Sequence, residues 1–117
     1  MNRDILRDKS YAFAVRIVLL SMYLQKEKKE FVLSRQVLKS GTSIGALIRE
    51  AEFGQSKPDF INKMSISLKE ANETNYWLSL MKDTKLIDEK MFSSLQENCR
   101  ELIAMLVSTV KTSKKEN

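Results

Sequence analysis

Residues 40–52 read SGTSIGALIREAE. The apolar positions of this stretch recur every three or four residues, which is the period of an amphipathic helix. Gly41 and Gly45 stand four residues apart, so they lie one above the other on one helix face. Each helix-interior glycine costs about 1 kcal/mol relative to alanine. The pair therefore predicts close helix packing, and a ligand lying on bare backbone is the alternative interpretation.

The same helical period continues on both sides of this stretch. We expect helices over residues 4–25 (or from Lys9), 34–54, 56–84 and 88–111. Ser34, Ser56 and Asp88 are candidate N-caps, and Gly54 is a candidate helix terminator. Short polar connections join the helices, so the sequence predicts an all-α fold, an antiparallel up-down-up-down four-helix bundle. We expect the bundle over residues 1–111 and a flexible basic tail over residues 112–117.

The composition excludes several classes of function. The chain has 117 residues, a net charge of +5, one cysteine and no histidine. Without histidine the common general base, the Ser-His and Cys-His pairs and the usual zinc sites are missing, so we expect no enzyme, no catalytic residue, no metal and no cofactor. A lone cysteine fits a reducing cytoplasm. The longest apolar-rich run, residues 11–24, is too short to span a membrane.

Two helices carry more apolar surface than one core needs. Helix 1 is apolar around nearly its whole circumference between Tyr11 and Leu24, and helix 3 places Trp77 off its main apolar stripe. Such surplus indicates subunit contacts, for which the candidate residues are Tyr11, Val15, Tyr76 and Trp77. Scattered surface hydrophobic residues are the simpler alternative. Trp77 beside Tyr76 also has the chemistry to stack on bases.

Arg16 interrupts the apolar run of helix 1. A buried guanidinium needs a carboxylate or several carbonyl partners. We therefore predict a buried ion pair with Glu70 or Glu73, within one subunit or between two. The alternative is an arginine that reaches water over its own aliphatic stem.

Basic residues concentrate at the two ends of the predicted bundle. One end joins helix 1 to helix 2 and helix 3 to helix 4, and an up-down arrangement brings both connections together. The candidate nucleic-acid contacts at this end are Lys26, Lys28, Lys29, Arg35, Lys39, Lys82 and Lys85. Phosphate binding requires only positive charge that reaches the backbone, so this end is the predicted RNA site. Solvated surface charge is the alternative.

The quoted stretch, followed by SKPDF at residues 56–60 and KEANETNYWL at residues 69–78, resembles a known family. It is similar to the bacterial four-helix-bundle proteins encoded in intervening sequences of 23S ribosomal RNA genes, from about Lys9 to Lys114. The chain departs from the family pattern at Leu47, where an asparagine is usual.

The resemblance implies an antiparallel four-helix bundle that assembles as a ring-shaped homopentamer. The chain is also similar to accessory proteins of diversity-generating retroelements, which form pentameric barrels and bind nucleic acid. The resulting expectation is a non-enzymatic, oligomeric, RNA-associated protein of the cytoplasm, with no membrane partner. An assembly scaffold or protein-partner adaptor with no nucleic-acid role is the alternative.

Overall fold

The computed structural model describes residues 3–116, and these residues form four α-helices. The helices are α1 (Arg3–Glu27), α2 (Leu33–Glu52), α3 (Lys57–Asp83) and α4 (Glu89–Lys115). Each helix packs against its sequence neighbours, and α1 returns to contact α4 less extensively. The bundle measures 48 × 22 × 19 Å, and the predicted all-α four-helix architecture is confirmed.

The core is built from the residues that the 3.6-residue period places on one face of each helix. In α2, Val37, Ile44 and Ile48 are fully buried, as are Met64 and Leu78 in α3. Each helix thereby contributes one apolar stripe to a single continuous core, because a helix face repeats every three to four residues.

Two of the predicted helix caps are confirmed. The Ser56 hydroxyl accepts a hydrogen bond from the Asp59 N–H at 3.2 Å, and Pro58 lies in the first turn of α3. The Asp88 carboxylate accepts a hydrogen bond from the Met91 N–H at 2.8 Å and caps α4. Both caps satisfy amides that have no partner inside the helix.

Other predicted helix ends differ from the structure. Gly54 does not adopt the left-handed conformation that ends many helices, and α2 ends at Glu52 with Phe53 as its C-cap. The predicted end of the fourth helix at Lys111 is also wrong, because α4 continues to Lys115. Ser113 is buried at this end, so the last turn packs on the bundle despite its polar sequence. Asn117, the end of the predicted tail, lies outside the described residues.

Candidate nucleic-acid interface

The connections at residues 28–32 and 84–88 meet at one end of the bundle. Lys28 from the first connection, Lys85 from the second and Lys82 from the last turn of α3 line one open pocket with Tyr23. Arg35 and Lys39 lie exposed on the first two turns of α2, which begins at this end. We call this surface the basic end; it comprises Lys26, Lys28, Lys29, Arg35, Lys39, Lys82 and Lys85.

Glu30 holds the first connection in place. Its carboxylate accepts hydrogen bonds from the N–H groups of Val32, Leu33 and Ser34 at 2.9–3.3 Å. Its own N–H donates to the Leu24 carbonyl at 3.0 Å. Glu30, and not the predicted Ser34, therefore caps α2, while Ser34 is buried and its hydroxyl donates to the Glu30 carbonyl.

A lysine occupies a left-handed backbone position in each connection. Lys29 has φ = 54° and Lys85 has φ = 63°, a region that favours glycine. Lys85 follows α3 as the left-handed residue of a helix C-terminal motif, because the Leu86 N–H donates to the Met81 carbonyl at 2.8 Å. Both lysines are exposed and carry their charge outward on an ordered turn.

More ion pairs lie toward one end of the bundle than toward the other. Toward the opposite end, Lys9 pairs with Glu101 at 3.1 Å, Lys57 with Glu116 at 3.7 Å and Lys63 with Glu50 at 3.7 Å. Within residues 3–116, by contrast, no ion pair forms at six of the seven residues of the basic end, namely Lys26, Lys28, Lys29, Arg35, Lys39 and Lys85. Lys111, Lys114 and Lys115, toward the opposite end, also form no ion pair among the described residues. Unpaired cationic groups are therefore present at both ends and are more numerous at the basic end.

Lys82 is the more constrained member of the basic end. Its ammonium group lies 3.7 Å from the Asp83 carboxylate and 4.7 Å from the centre of the Phe92 ring. A lysine held over an aromatic face gives up part of its freedom to reach another anion. We therefore expect the exposed lysines of the basic end to be more available than Lys82 for contacts with an anionic partner.

The predicted partners of Arg16 are wrong within the chain. Arg16 is half-buried, and its guanidinium donates to the Asn98 side-chain oxygen at 2.6 Å and to the Ser94 hydroxyl at 2.9 Å, both on α4. Glu73 instead accepts from the Trp77 indole N–H at 3.2 Å. Arg16 bridges α1 to α4 because the diagonal helix α3 lies beyond its reach. A pair with Glu70 or Glu73 of another subunit stays a prediction.

Gly41 and Gly45 lie where α2 packs against α1. A Cβ atom on Gly41 would stand 2.8 Å from both Cγ atoms of Ile17, and one on Gly45 would stand 3.2 Å from the Ser10 hydroxyl oxygen. A real Cβ atom does not approach a carbon to 2.8 Å, so Gly41 leaves α1 the space to approach. The geometry favours the packing interpretation of the two glycines.

The side of α1 that faces away from the core is apolar. Tyr11, Val15, Val18 and Met22 follow one another at steps of four, three and four residues, and with Leu19 they are 39–60% exposed. We call these five residues the α1 outer face. Large apolar side chains that line up on an exposed helix face are typical of an interaction surface.

The two candidate aromatic residues of α3 lie side by side. Tyr76 is exposed, whereas Trp77 is half-buried and packs against the core. Their rings meet edge to face with centroids 5.1 Å apart. With its indole N–H bonded to Glu73, Trp77 presents only part of its ring to a partner.

The single cysteine of the chain, Cys99, is buried. Burial raises the pKa of the Cys99 thiol to about 12, so the thiol stays protonated at neutral pH and is a poor nucleophile. No group of three carboxylates or thiols within the described residues is placed to hold a metal ion. No helix of this part of the chain is both long and apolar enough to cross a membrane.

The structure reveals exposed apolar residues that the sequence interpretation missed. Phe31 is 46% exposed and Val32 is 68% exposed, and both lie in the first connection of the basic end. The available signal was the run of residues 28–32, KKEFV, in which an aromatic residue directly follows a basic pair.

Comparison with known proteins identifies a protein family and a solved structure that are similar to this chain. The family model described as 23S rRNA-intervening sequence protein matches residues 4–108. A crystal structure of a protein of unknown function from the S23 ribosomal protein family of Bacteroides thetaiotaomicron is similar with a TM-score of 0.93 and 52% identity, over 95% of this chain and 99% of that chain. No curated protein matches this sequence.

Proposed function

The chain belongs to the 23S rRNA-intervening sequence protein family, and from this premise we propose that it is a non-enzymatic oligomer that binds RNA through phosphate contacts at the basic end. The proposal places the protein in the cytoplasm, in keeping with its single buried thiol. The resemblance of its motifs to this family supports a homopentameric ring, in which the basic end would repeat around one rim.

One observation carries the proposal: six of the seven cationic residues of the basic end form no ion pair within residues 3–116, the largest group of unpaired cations at either end of the bundle. Glu30 and Asp88, the acidic residues of the connections, bind backbone N–H groups at helix starts. They orient the turns and form no ion pair with the exposed lysines within residues 3–116. Free cationic side chains at one surface are what phosphate contacts need, because binding releases the counterions of the nucleic acid.

Replacing Lys26, Lys28 and Lys29 by glutamine should weaken RNA binding to a similar extent for all sequences. Each lost phosphate contact should also flatten the slope of log affinity against log salt by up to about one unit. The measurement is fluorescence anisotropy of labelled RNA across a salt series. The fold should survive, because exposed substitutions usually change stability by less than about 0.5 kcal/mol.

A matched variant controls for net charge. Changing Lys9, Lys57 and Lys63 to glutamine removes the same charge from residues that are ion-paired in the chain. Its RNA affinity should stay close to that of the parent. Equal losses in both triple variants would contradict a site at the basic end, and a parent without salt-sensitive binding would overturn the RNA function.

Lys85→Gly separates stability from binding at the same surface. Glycine adopts φ = 63° without the steric cost that lysine bears, so the free energy of unfolding should rise by up to about 1 kcal/mol. RNA affinity should fall, because the ammonium group is lost. Urea unfolding and anisotropy check the two results, and Lys85→Ala should lose affinity without gaining stability. Unchanged RNA affinity of Lys85→Gly would show that Lys85 does not contact the RNA.

An assembly scaffold or protein-partner adaptor is the second candidate function. The α1 outer face favours it, because an exposed apolar stripe is suited to protein contacts. The salt dependence of RNA binding distinguishes the two functions. A scaffold would also form an oligomer, but it would show no salt-dependent binding of RNA.

A further inference from the structure

We propose that Phe31 stacks on an unpaired base, so that the basic end binds single-stranded RNA in preference to duplex RNA. This inference rests on the proposed RNA function and names the class of RNA for that same site. It requires an accessible aromatic ring, a fixed backbone beneath it and cationic groups that reach the neighbouring phosphates.

The ring of Phe31 is accessible. Phe31 is 46% exposed, and the following residue, Val32, is 68% exposed. Nearly half of the surface of Phe31 is therefore available to a planar partner.

The backbone that carries Phe31 is fixed on both sides. Glu30, directly before it, donates its N–H to the Leu24 carbonyl at 3.0 Å. The Glu30 carboxylate accepts from the N–H groups of Val32, Leu33 and Ser34, directly after Phe31. The residues on both sides of Phe31 are thus held by hydrogen bonds. An ordered aromatic residue loses less conformational entropy on binding than a mobile one.

The charge around the ring suits the phosphates that accompany a stacked base. Lys28 and Lys29 precede Phe31 by three and two residues and are exposed. Neither forms an ion pair within the described residues. An aromatic platform beside a cationic groove is the arrangement that single-stranded nucleic-acid binding uses, because every base has a π-face and every nucleotide has a phosphate.

Duplex RNA cannot use the ring in this way. The bases of a duplex are stacked on one another, and the faces of the bases are exposed only at ends, loops and bulges. A duplex would contact the lysines alone. The stacking contribution should therefore appear as a difference between single-stranded and duplex RNA of the same length.

The test compares Phe31→Ala with the parent by anisotropy, using a labelled single-stranded RNA of about 12 nucleotides and its duplex. Phe31→Ala should weaken single-strand binding by about 5- to 100-fold and leave duplex binding nearly unchanged. Phe31→Tyr should retain single-strand affinity, because it keeps an aromatic face. Phe53→Ala, which removes an 83% exposed aromatic from the connection at the opposite end, is the matched control and should bind as the parent does.

The failures can be told apart. A first outcome is that the parent binds RNA in a salt-sensitive way while Phe31→Ala binds single strands as tightly as the parent does. That result would exclude the stacking role and leave the proposed RNA function intact. Equal losses for single strand and duplex also overturn the stacking role. If Phe31→Ala instead lowers the assembled mass in light scattering with RNA affinity unchanged, Phe31 is a subunit contact and the inference is wrong. A parent that binds no RNA overturns both proposals.

Discussion

Glutamate at both Val15 and Val18 should convert the proposed oligomer into monomers of 13.5 kDa. Both valines belong to the α1 outer face and are 44% and 39% exposed, so they are free to contact another subunit. A carboxylate buried there without a partner would cost at least about 3 kcal/mol, which weakens association by more than about 100-fold. Light scattering at micromolar concentration measures the assembled mass.

A control at equal charge uses another exposed helix face. Ala104 and Ser108 lie exposed on α4, and glutamate at both positions adds the same two charges away from the α1 outer face. This variant should keep the mass of the parent. An oligomer that tolerates glutamate at Val15 and Val18 would show that α1 is not an interface. A monomeric parent would overturn the oligomer itself.

Local signals made the helices and two of their caps predictable. Ser56 and Asp88 each accept a hydrogen bond from an N–H three residues further along the chain. Such a short-range contact can be predicted from the local sequence alone. The same reasoning failed at α2. Ser34 has the right chemistry for a cap, but its burial against α1 turns its hydroxyl to the Glu30 carbonyl.

The partners of Arg16 show why the rest of the site could not be predicted. Its charge and apolar surroundings predicted a carboxylate, but the choice of partner depends on which helices are adjacent. In an up-down-up-down bundle α1 lies beside α2 and α4, so the reachable groups are Ser94 and Asn98. The predicted bundle order already placed α1 beside α4, but neither a helical period nor a charge count specifies which α4 side chains face Arg16.

The left-handed lysines illustrate a second kind of failure. Sequence reasoning assigns such positions to glycine, and Gly54 was the candidate. The chain instead uses lysine at Lys29 and Lys85, and Gly54 has no positive φ. Backbone strain at these two positions coincides with the unpaired charges of the basic end, which supports a binding role for the lysine side chains.

Gly41→Ala should lower the free energy of unfolding by about 1–3 kcal/mol, although alanine is the better helix former by about 1 kcal/mol. The added Cβ would meet two carbons of Ile17 at 2.8 Å. Ile17 is fully buried and branched at Cβ, so its side chain cannot swing away. Urea denaturation measures the change. Gly45→Leu repeats the test one turn along against Ser10 and should also destabilise.

An Ile17→Ala background identifies the cause. Ile17→Ala alone should cost about 2–5 kcal/mol, because it leaves a cavity. Gly41→Ala added to it escapes the two 2.8 Å contacts and keeps only the 3.2 Å contact with the Cβ of residue 17, so it should cost less than in the parent. This smaller cost is the expected coupling of residues in contact. If Gly41→Ala stabilises the protein in both backgrounds, then α1 does not depend on the glycine for its approach. If the cost of Gly41→Ala falls in the Ile17→Ala background, the close approach of α1 to α2 at Ile17 depends on the missing side chain of Gly41.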